Sequence, residues 1–229
     1  MRILFTGGGT GGHFFPVIAV VRELKRIAEE TQIIDLELFY MGPDDFGKEA
    51  IADEELFFLH VGTGKIRRYA SILNIMDMFK TFFGIMKGIW NIFLVMPDVV
   101  FSKGGYGAIP AVVGAIIFRI PLIIHESDSI PGEVNKLSGR FAMRIGIAFS
   151  ATAQFFSKEK TALVGIPIRK RILGGNPAQA KESMSIFSDL PVIGVIGASQ
   201  GSQKINDALL GILKDLTQDF EIIHQTGEK

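Results

Sequence analysis

The chain has 229 residues, with 24 Lys and Arg against 24 Asp and Glu, no cysteine and 48% hydrophobic residues. This length allows one large domain or one and a half, and the missing cysteine excludes a disulfide framework, a thiolate metal site and a cysteine nucleophile. The zero net charge argues against nucleic acid as a partner, because nucleic-acid-binding domains are usually basic.

Short β-branched and aromatic runs alternate with segments of helical periodicity, which is typical of βαβ units and a parallel sheet. Residues 3–6 are the first predicted strand. The apolar residues from 17 to 28 then follow at helical spacing, and Pro16 suits the first turn of that helix. Further strands are predicted at 36–40, 56–61, 99–102, 121–125, 145–148 and 162–164, and further helices at 47–54, 71–95, 109–118 and 132–142.

A second domain is predicted to begin late in the chain. The polar stretch 174–190 is interpreted as a linker, and residues 191–229 supply only a strand, a glycine loop, a helix and another strand. A single βαβ unit does not close a doubly wound sheet. We therefore expect an α/β protein with a complete Rossmann-like domain over 1–173 and the beginning of a second one.

The first glycine loop, residues 7–12, lies between the first strand and the first helix and is followed directly by His13. Such a loop brings backbone N–H groups and a helix N-terminus close to a phosphate, although similar turns also occur without a ligand. The loop matches the dinucleotide pattern G-x-G-x-x-G, but the acidic residue expected about 20 residues later is missing. His13 favours a functional loop, since the helix dipole favours its neutral, proton-accepting form.

Two further predicted strands lead into segments that could also serve a site. The first is a second glycine loop at 102–107, and the other is the His-Glu-Ser-Asp segment at 125–128. Strand ends of a parallel sheet meet at one edge, where ligands of open α/β sheets bind. His125 alone is equally consistent with a satisfied core histidine, and Tyr106 with packing. Several glycine loops and polar side chains at one edge of the sheet together favour a ligand-binding site.

Seven segments together resemble the MurG family of N-acetylglucosaminyltransferases, whose fold is GT-B. The resemblance extends over essentially the whole chain, through residues 8–16, 104–106, 125–128, 131–132, 135–136, 165–169 and 197–201. It implies transfer of N-acetylglucosamine from UDP-N-acetylglucosamine to the C4 hydroxyl of the muramyl residue of lipid I, which gives lipid II for peptidoglycan. It also implies inversion at the sugar C1, with no metal and no cofactor.

The resemblance implies roles for individual residues. His13 is the candidate base beside the acceptor hydroxyl, and Glu126 is a second catalytic candidate. The implied donor-side residues are Thr10, Gly11, Gly12, Asp128, Arg169, Ser199 and Asn206, and the implied acceptor-side residues are Gly104, Gly105, Tyr106, His125 and Asn135. The chain departs from the family pattern at Ile166 and Ala198, both near the donor side.

The helix predicted at 71–95 has an apolar arc about twice as wide as a normal core-facing stripe. One interpretation is a helix buried on two sides. The other is a helix with one edge on lipid through Phe82, Phe83, Ile85 and Trp90, while Lys65, Arg67 and Arg68 meet an anionic membrane surface. A polyprenyl-linked acceptor implies a peripheral protein on the cytoplasmic face of the bacterial plasma membrane.

Three functions stay open from the sequence. The first is the glycosyltransferase, and the second is a non-catalytic acceptor-binding or membrane-docking half that needs a separate or missing donor domain. The third is a Rossmann dehydrogenase, which lacks its acidic residue. Because the second predicted domain has barely begun, we expect the 229-residue chain alone to transfer no sugar. The N-terminus carries no signal-peptide pattern, and no uninterrupted apolar run reaches the roughly 18–20 residues of a membrane span.

Overall fold

The computed structural model describes residues 1–8, 11–43, 47–64, 72–197 and 201–227, of which 72–76 and 171 are described by their backbone alone. The chain divides into two compact units, Met1–Lys170 and Arg171–Lys229.

The first unit is built on a seven-stranded sheet in which all neighbouring strands are parallel. Its spatial order is β3-β2-β1-β4-β5-β6-β7, so the order reverses between β1 and β4. Ligands of open α/β sheets bind at the carboxyl ends of the strands beside such a reversal. The strands are β1 (Arg2–Thr6), β2 (Glu37–Gly42), β3 (Phe57–His60), β4 (Val99–Ser102), β5 (Leu122–Glu126), β6 (Arg144–Ile147) and β7 (Thr161–Leu163).

Helices cover both faces of this sheet. Along β1, Ile3 and Phe5 pack with α1 (Gly11–Glu30) and α2 (Lys48–Asp53), whereas Leu4 points to the face that holds α3 (Ile72–Val95) and α4 (Ile109–Ile117). This alternation is what a strand buried on both faces requires. A further helix, α5 (Glu133–Phe141), follows β5. The predicted α/β fold with a doubly wound parallel sheet is confirmed.

Helix α1 begins earlier than its apolar pattern indicates. It starts at Gly11, so Pro16 lies inside the helix, and the prediction that Pro16 belongs to the first turn is wrong. Gly11 and Gly12 are poor helix formers and carry no apolar side chain, so the periodic pattern starts only after them. The earlier start places His13 within the first turn of the helix.

Helix α3 packs through its smallest residues. Gly88 lies so close to α4 that a Cβ atom added to it would be 2.5 Å from Cβ of Pro110. A Cβ atom added to Gly84 would overlap the backbone of Gly62. Ile92 completes this buried side, while the large apolar residues face outward: Met78, Phe79, Phe82, Phe83, Met86, Trp90, Phe93 and Leu94. The helix is therefore not buried on two sides within the first unit. By length and composition alone, Asp77–Val95 is long and apolar enough to cross a membrane.

The second unit contains α6 (Pro177–Ser183), β8 (Val192–Ile196), α7 (Gln203–Asp219) and β9 (Glu221–Gln225). β8 and β9 form a two-stranded parallel sheet, which is the βαβ unit expected from the sequence. Helix α6 lies within the stretch predicted as a linker. Asn176 and Pro177 are turn formers, but here the Asn176 side chain accepts hydrogen bonds from two backbone N–H groups and so caps a helix that Pro177 begins.

Candidate active site

Two glycine loops pack backbone against backbone at the carboxyl ends of β1 and β4. The N–H of Gly8 donates to the carbonyl of Gly104 over 2.7 Å. A side-chain carbon on Gly105 would lie 2.8 Å from Cα of Gly8, and the Gly105 φ of +78° is one that glycine adopts most readily. Both positions therefore require glycine for this contact to form. The loops after β1, β4 and β5 together are called the rim.

His13 stands in the first turn of α1 and faces the loop after β4. Its Nδ1 lies 3.3 Å from the carbonyl oxygen of Lys103. Because a carbonyl oxygen only accepts, Nδ1 carries the proton and the lone pair of the neutral ring lies on Nε2. Burial lowers the pKa of His13 below its ordinary 6.5, and the charge of Lys103 lowers it further. The ring is therefore a neutral proton acceptor near pH 7.

His125 is the second-last residue of β5 and is buried. Its Nε2 donates to the carbonyl of Gly165 over 2.8 Å, so the lone pair of the neutral ring lies on Nδ1, which has no partner among the described residues. Burial is the main cause that lowers the pKa of His125. The Asn135 amide donates to the backbone carbonyl of His125 over 3.1 Å and thereby fixes α5 against the end of β5.

Glu126 organises the loop after β5. Its carboxylate accepts hydrogen bonds from the N–H of Asp128, the N–H of Gly132 and the amide of Asn135, at 2.9, 3.1 and 3.0 Å. The side chain is buried and all three donors belong to its own loop and helix. This arrangement is that of a loop-closing carboxylate. A catalytic role for Glu126 stays a prediction, and Asp128 is exposed at the rim.

The structure also brings Arg169 to the start of α1. Its guanidinium lies 4.2 Å from the ring centre of Phe15, two residues after His13, which fits a cation–π contact. Gly11 and Gly12 form the N-terminus of the same helix, and Tyr106 opens a short 3₁₀ turn after the second glycine loop. These predicted site residues thus lie within the first unit around the rim.

Other predicted residues lie elsewhere or outside the described residues. Asn206 belongs to the second unit, where its amide donates to the carbonyl of Thr226 over 2.9 Å. Thr10, Ser199, Lys65, Arg67 and Arg68 fall outside the described residues.

Sequence reasoning missed one residue of the rim, Lys103. Its side chain is fully buried, and its Nζ donates to the hydroxyl of Ser127 over 2.8 Å. The sequence signal for its burial was the position of the lysine, directly between a buried strand and two glycines. In such a short loop the lysine side chain has little room to turn toward solvent.

Comparison with known proteins gives two kinds of match at the level of sequence. Residues 3–147 match the glycosyltransferase family 28 N-terminal domain. A relative from Legionella pneumophila (strain Lens) is 39% identical over 228 residues, and one from Bacillus thuringiensis (strain Al Hakam) is 35% identical. Both are named as a UDP-N-acetylglucosamine–N-acetylmuramyl-(pentapeptide) pyrophosphoryl-undecaprenol N-acetylglucosamine transferase. The matches cover 99% of this chain, which spans 61% and 63% of the length of these relatives.

Solved structures match in fold. Acinetobacter baumannii MurG superposes with a TM-score of 0.67 at 21% identity, covering 100% of this chain and 59% of that one. The UDP-GlcNAc 2-epimerase of Neisseria meningitidis gives 0.63 at 12% identity, covering 98% and 66%. The predicted GT-B fold class and the resemblance to the MurG family are confirmed. The match to the family 28 domain covers residues 3–147, which is more than half of the chain. The chain therefore belongs to glycosyltransferase family 28 and contains the N-terminal domain of that family.

Proposed function

We propose that this chain provides the acceptor side of an N-acetylglucosaminyltransferase that converts lipid I to lipid II. The observation that carries the proposal is the placement of His13, a neutral histidine whose Nε2 lone pair is fixed by the Lys103 carbonyl, on the rim of a family 28 domain. Relatives named as this transferase support the choice of substrates.

In the proposed reaction, His13 acts as the general base. Its Nε2 accepts the proton of the C4 hydroxyl of the muramyl residue while the hydroxyl oxygen attacks C1 of N-acetylglucosamine. The bond from C1 to the diphosphate breaks with inversion, and its electron pair leaves with UDP. General base catalysis of this kind is typically worth about 10²–10⁴-fold.

Negative charge develops on the leaving diphosphate, and the start of α1 is suited to stabilise it. The first N–H groups of a helix have no hydrogen-bond partner within the helix, and they form the positive end of the helix dipole. Gly11 and Gly12 add no side chain there, and Arg169 lies near the same helix start over Phe15. We assign these residues to the donor side, and Tyr106, His125 and Asn135 to the acceptor side.

The second candidate function is an acceptor-binding half without activity of its own. The observation that favours it is the division of the chain, since the proposed acceptor side lies wholly within the unit Met1–Lys170. Both functions require acceptor binding, and only the first includes sugar transfer.

Acceptor binding is testable on the 229-residue chain by calorimetric titration with a water-soluble lipid I analogue that carries a short prenyl chain. We expect saturable binding that Tyr106→Ala weakens at least about fivefold, because the tyrosine stands exposed at the rim. Phe187→Ala is the matched control, since it removes an exposed aromatic side chain from the second unit. Absence of analogue binding to the folded chain would contradict both functions.

Transfer is testable in a chimera that joins residues 1–170 to the remaining part of the Legionella relative. Formation of lipid II from the lipid I analogue and UDP-N-acetylglucosamine supports the first function. Analogue binding to a folded chimera that transfers no sugar supports the second.

We also propose that the outward face of α3 docks on an anionic membrane surface from the cytoplasmic side. Phe82, Phe83 and Trp90 are each more than half exposed, and Ile85 is half-buried beside them. Lys80 and Lys87 are exposed on the same helix. An aromatic and aliphatic face flanked by lysines is typical of interfacial helices, which lie in the plane of the membrane. A membrane-anchored acceptor requires such a surface.

Trp90 is the only tryptophan of the chain, so its fluorescence reports on this helix directly. We expect anionic vesicles to shift its emission to shorter wavelength and to co-sediment the chain. Salt should weaken both effects, because charges are screened beyond about 10 Å at 0.1 M.

The double substitution Phe82→Ser and Phe83→Ser should reduce co-sedimentation, whereas Phe187→Ser should not, since that exposed aromatic lies in the second unit. Equal binding to neutral and anionic vesicles would contradict the part played by the basic residues. Unchanged Trp90 emission would contradict docking through α3.

A further inference from the structure

Lys103 is the only buried Lys or Arg in the part of the chain that the structure describes. Its N–H donates to the carbonyl of Thr6 at the end of β1 over 2.9 Å, and its own carbonyl faces Nδ1 of His13. Its Nζ donates to the hydroxyl of Ser127 in the loop after β5. One residue therefore connects the end of β1 and the start of α1 with the loop after β5.

The charge of Lys103 is not neutralised by direct contact. Burial lowers the pKa of Lys103, and the negative charges of Glu126 and Asp128 oppose that shift. Neither carboxylate comes within ion-pair distance of Nζ in the described part of the chain. The Glu126 carboxylate instead accepts three hydrogen bonds from its own loop and helix. A buried charge without a contacting counter-charge acts on its neighbours through a medium that screens poorly.

The neighbours that such a charge reaches are the two histidines of the rim. Lys103 lowers the pKa of both His13 and His125, in addition to their burial. The other groups facing His13 are Glu126 and Asp128, whose negative charges oppose this effect, as does the hydrogen bond to the Lys103 carbonyl.

We propose that Lys103 is a positioning residue of this site: its carbonyl fixes the tautomer of His13, and its buried positive charge, held at the loop after β5 by Ser127, favours the neutral ring in addition to the burial of His13 itself. Its meaning for catalysis rests on the function proposed above, in which His13 is the base. The side chain itself is buried and does not reach a substrate, so Lys103 acts through His13.

The test is an NMR titration of the four histidines in the 229-residue chain, with His13 and His125 assigned by substitution. We expect the pKa of His13 to rise by at least about 0.5 pH unit in Lys103→Met, because methionine keeps an unbranched side chain and removes the charge together with the hydrogen bond to Ser127. Ser127→Ala, which keeps the charge and removes the hydrogen bond, should leave His13 near its wild-type value.

An unchanged His13 titration in a folded Lys103→Met chain would overturn the proposal. A second measurement covers the case in which that variant does not fold. Long-range ¹H–¹⁵N spectra of the wild-type chain at pH 7.5 should show His13 protonated on Nδ1, and protonation on Nε2 would overturn the proposal. Neither measurement uses a substrate, so its failure is distinguishable from a failure of acceptor binding or of sugar transfer.

Discussion

Replacing His13 by alanine is expected to lower sugar transfer by about 10²–10⁴-fold while the chain stays folded. The substitution removes the Nε2 lone pair that accepts the hydroxyl proton. It leaves α1 intact, since alanine is the best helix former and the ring is only half-buried. The measurement is turnover of the lipid I analogue by the chimera, with far-ultraviolet circular dichroism to show that the fold is retained.

His60→Ala is the matched control for this substitution. His60 ends β3, which lies at the outer edge of the sheet with β2 between it and β1. We expect its turnover to stay within about threefold of the unsubstituted chimera. If His13→Ala also stayed within that range, the assignment of His13 as the base would be wrong.

Gly105→Ala is expected to destabilise the chain by about 2–4 kcal/mol. The backbone at this position has φ +78° and ψ 166°, a conformation that costs a residue with a side chain about 1–3 kcal/mol. The added carbon would also lie 2.8 Å from Cα of Gly8, so the two glycine loops would have to separate. The measurement is urea unfolding of the 229-residue chain.

Gly132→Ala is the control for backbone strain. Gly132 has φ −65° and ψ 153°, and a side-chain carbon there would meet nothing within 4 Å. We expect a change in unfolding free energy within about 0.5 kcal/mol. Equal urea midpoints for Gly105→Ala and the unsubstituted chain would show that the close contact between the loops is not required.

The sheet was predictable because its strands are short and are bounded by turn residues. The strand predicted at 99–102 coincides with Val99–Ser102. The other strands predicted within the first unit differ from the structure at their ends by one or two residues. Because parallel strands end at one edge of a sheet, the sequence also predicted that His13, Gly105 and His125 lie near one another.

The features that the sequence did not predict depend on contacts between residues far apart in the chain. The start of α1 at Gly11 is not visible in periodicity, because glycine contributes nothing to an apolar pattern. The orientation of α3 depends on Gly84 and Gly88 meeting Gly62 and Pro110. The importance of Lys103 follows from its contacts with Thr6, His13 and Ser127, whereas the sequence shows only its position between a strand and two glycines.

The central place of β1 has a consequence for how the chain folds during synthesis. Ile3 pairs with Leu38 on one side, but its partner on the other side is Val99. Until β4 has been made, β1 is an edge strand with apolar side chains on both faces, and such edges pair readily with other chains. Joining segments so far apart in sequence is also slow, because chain entropy is lost before contacts form. His13 is therefore synthesised early but reaches the Lys103 carbonyl, 90 residues further along, only once this late pairing is complete.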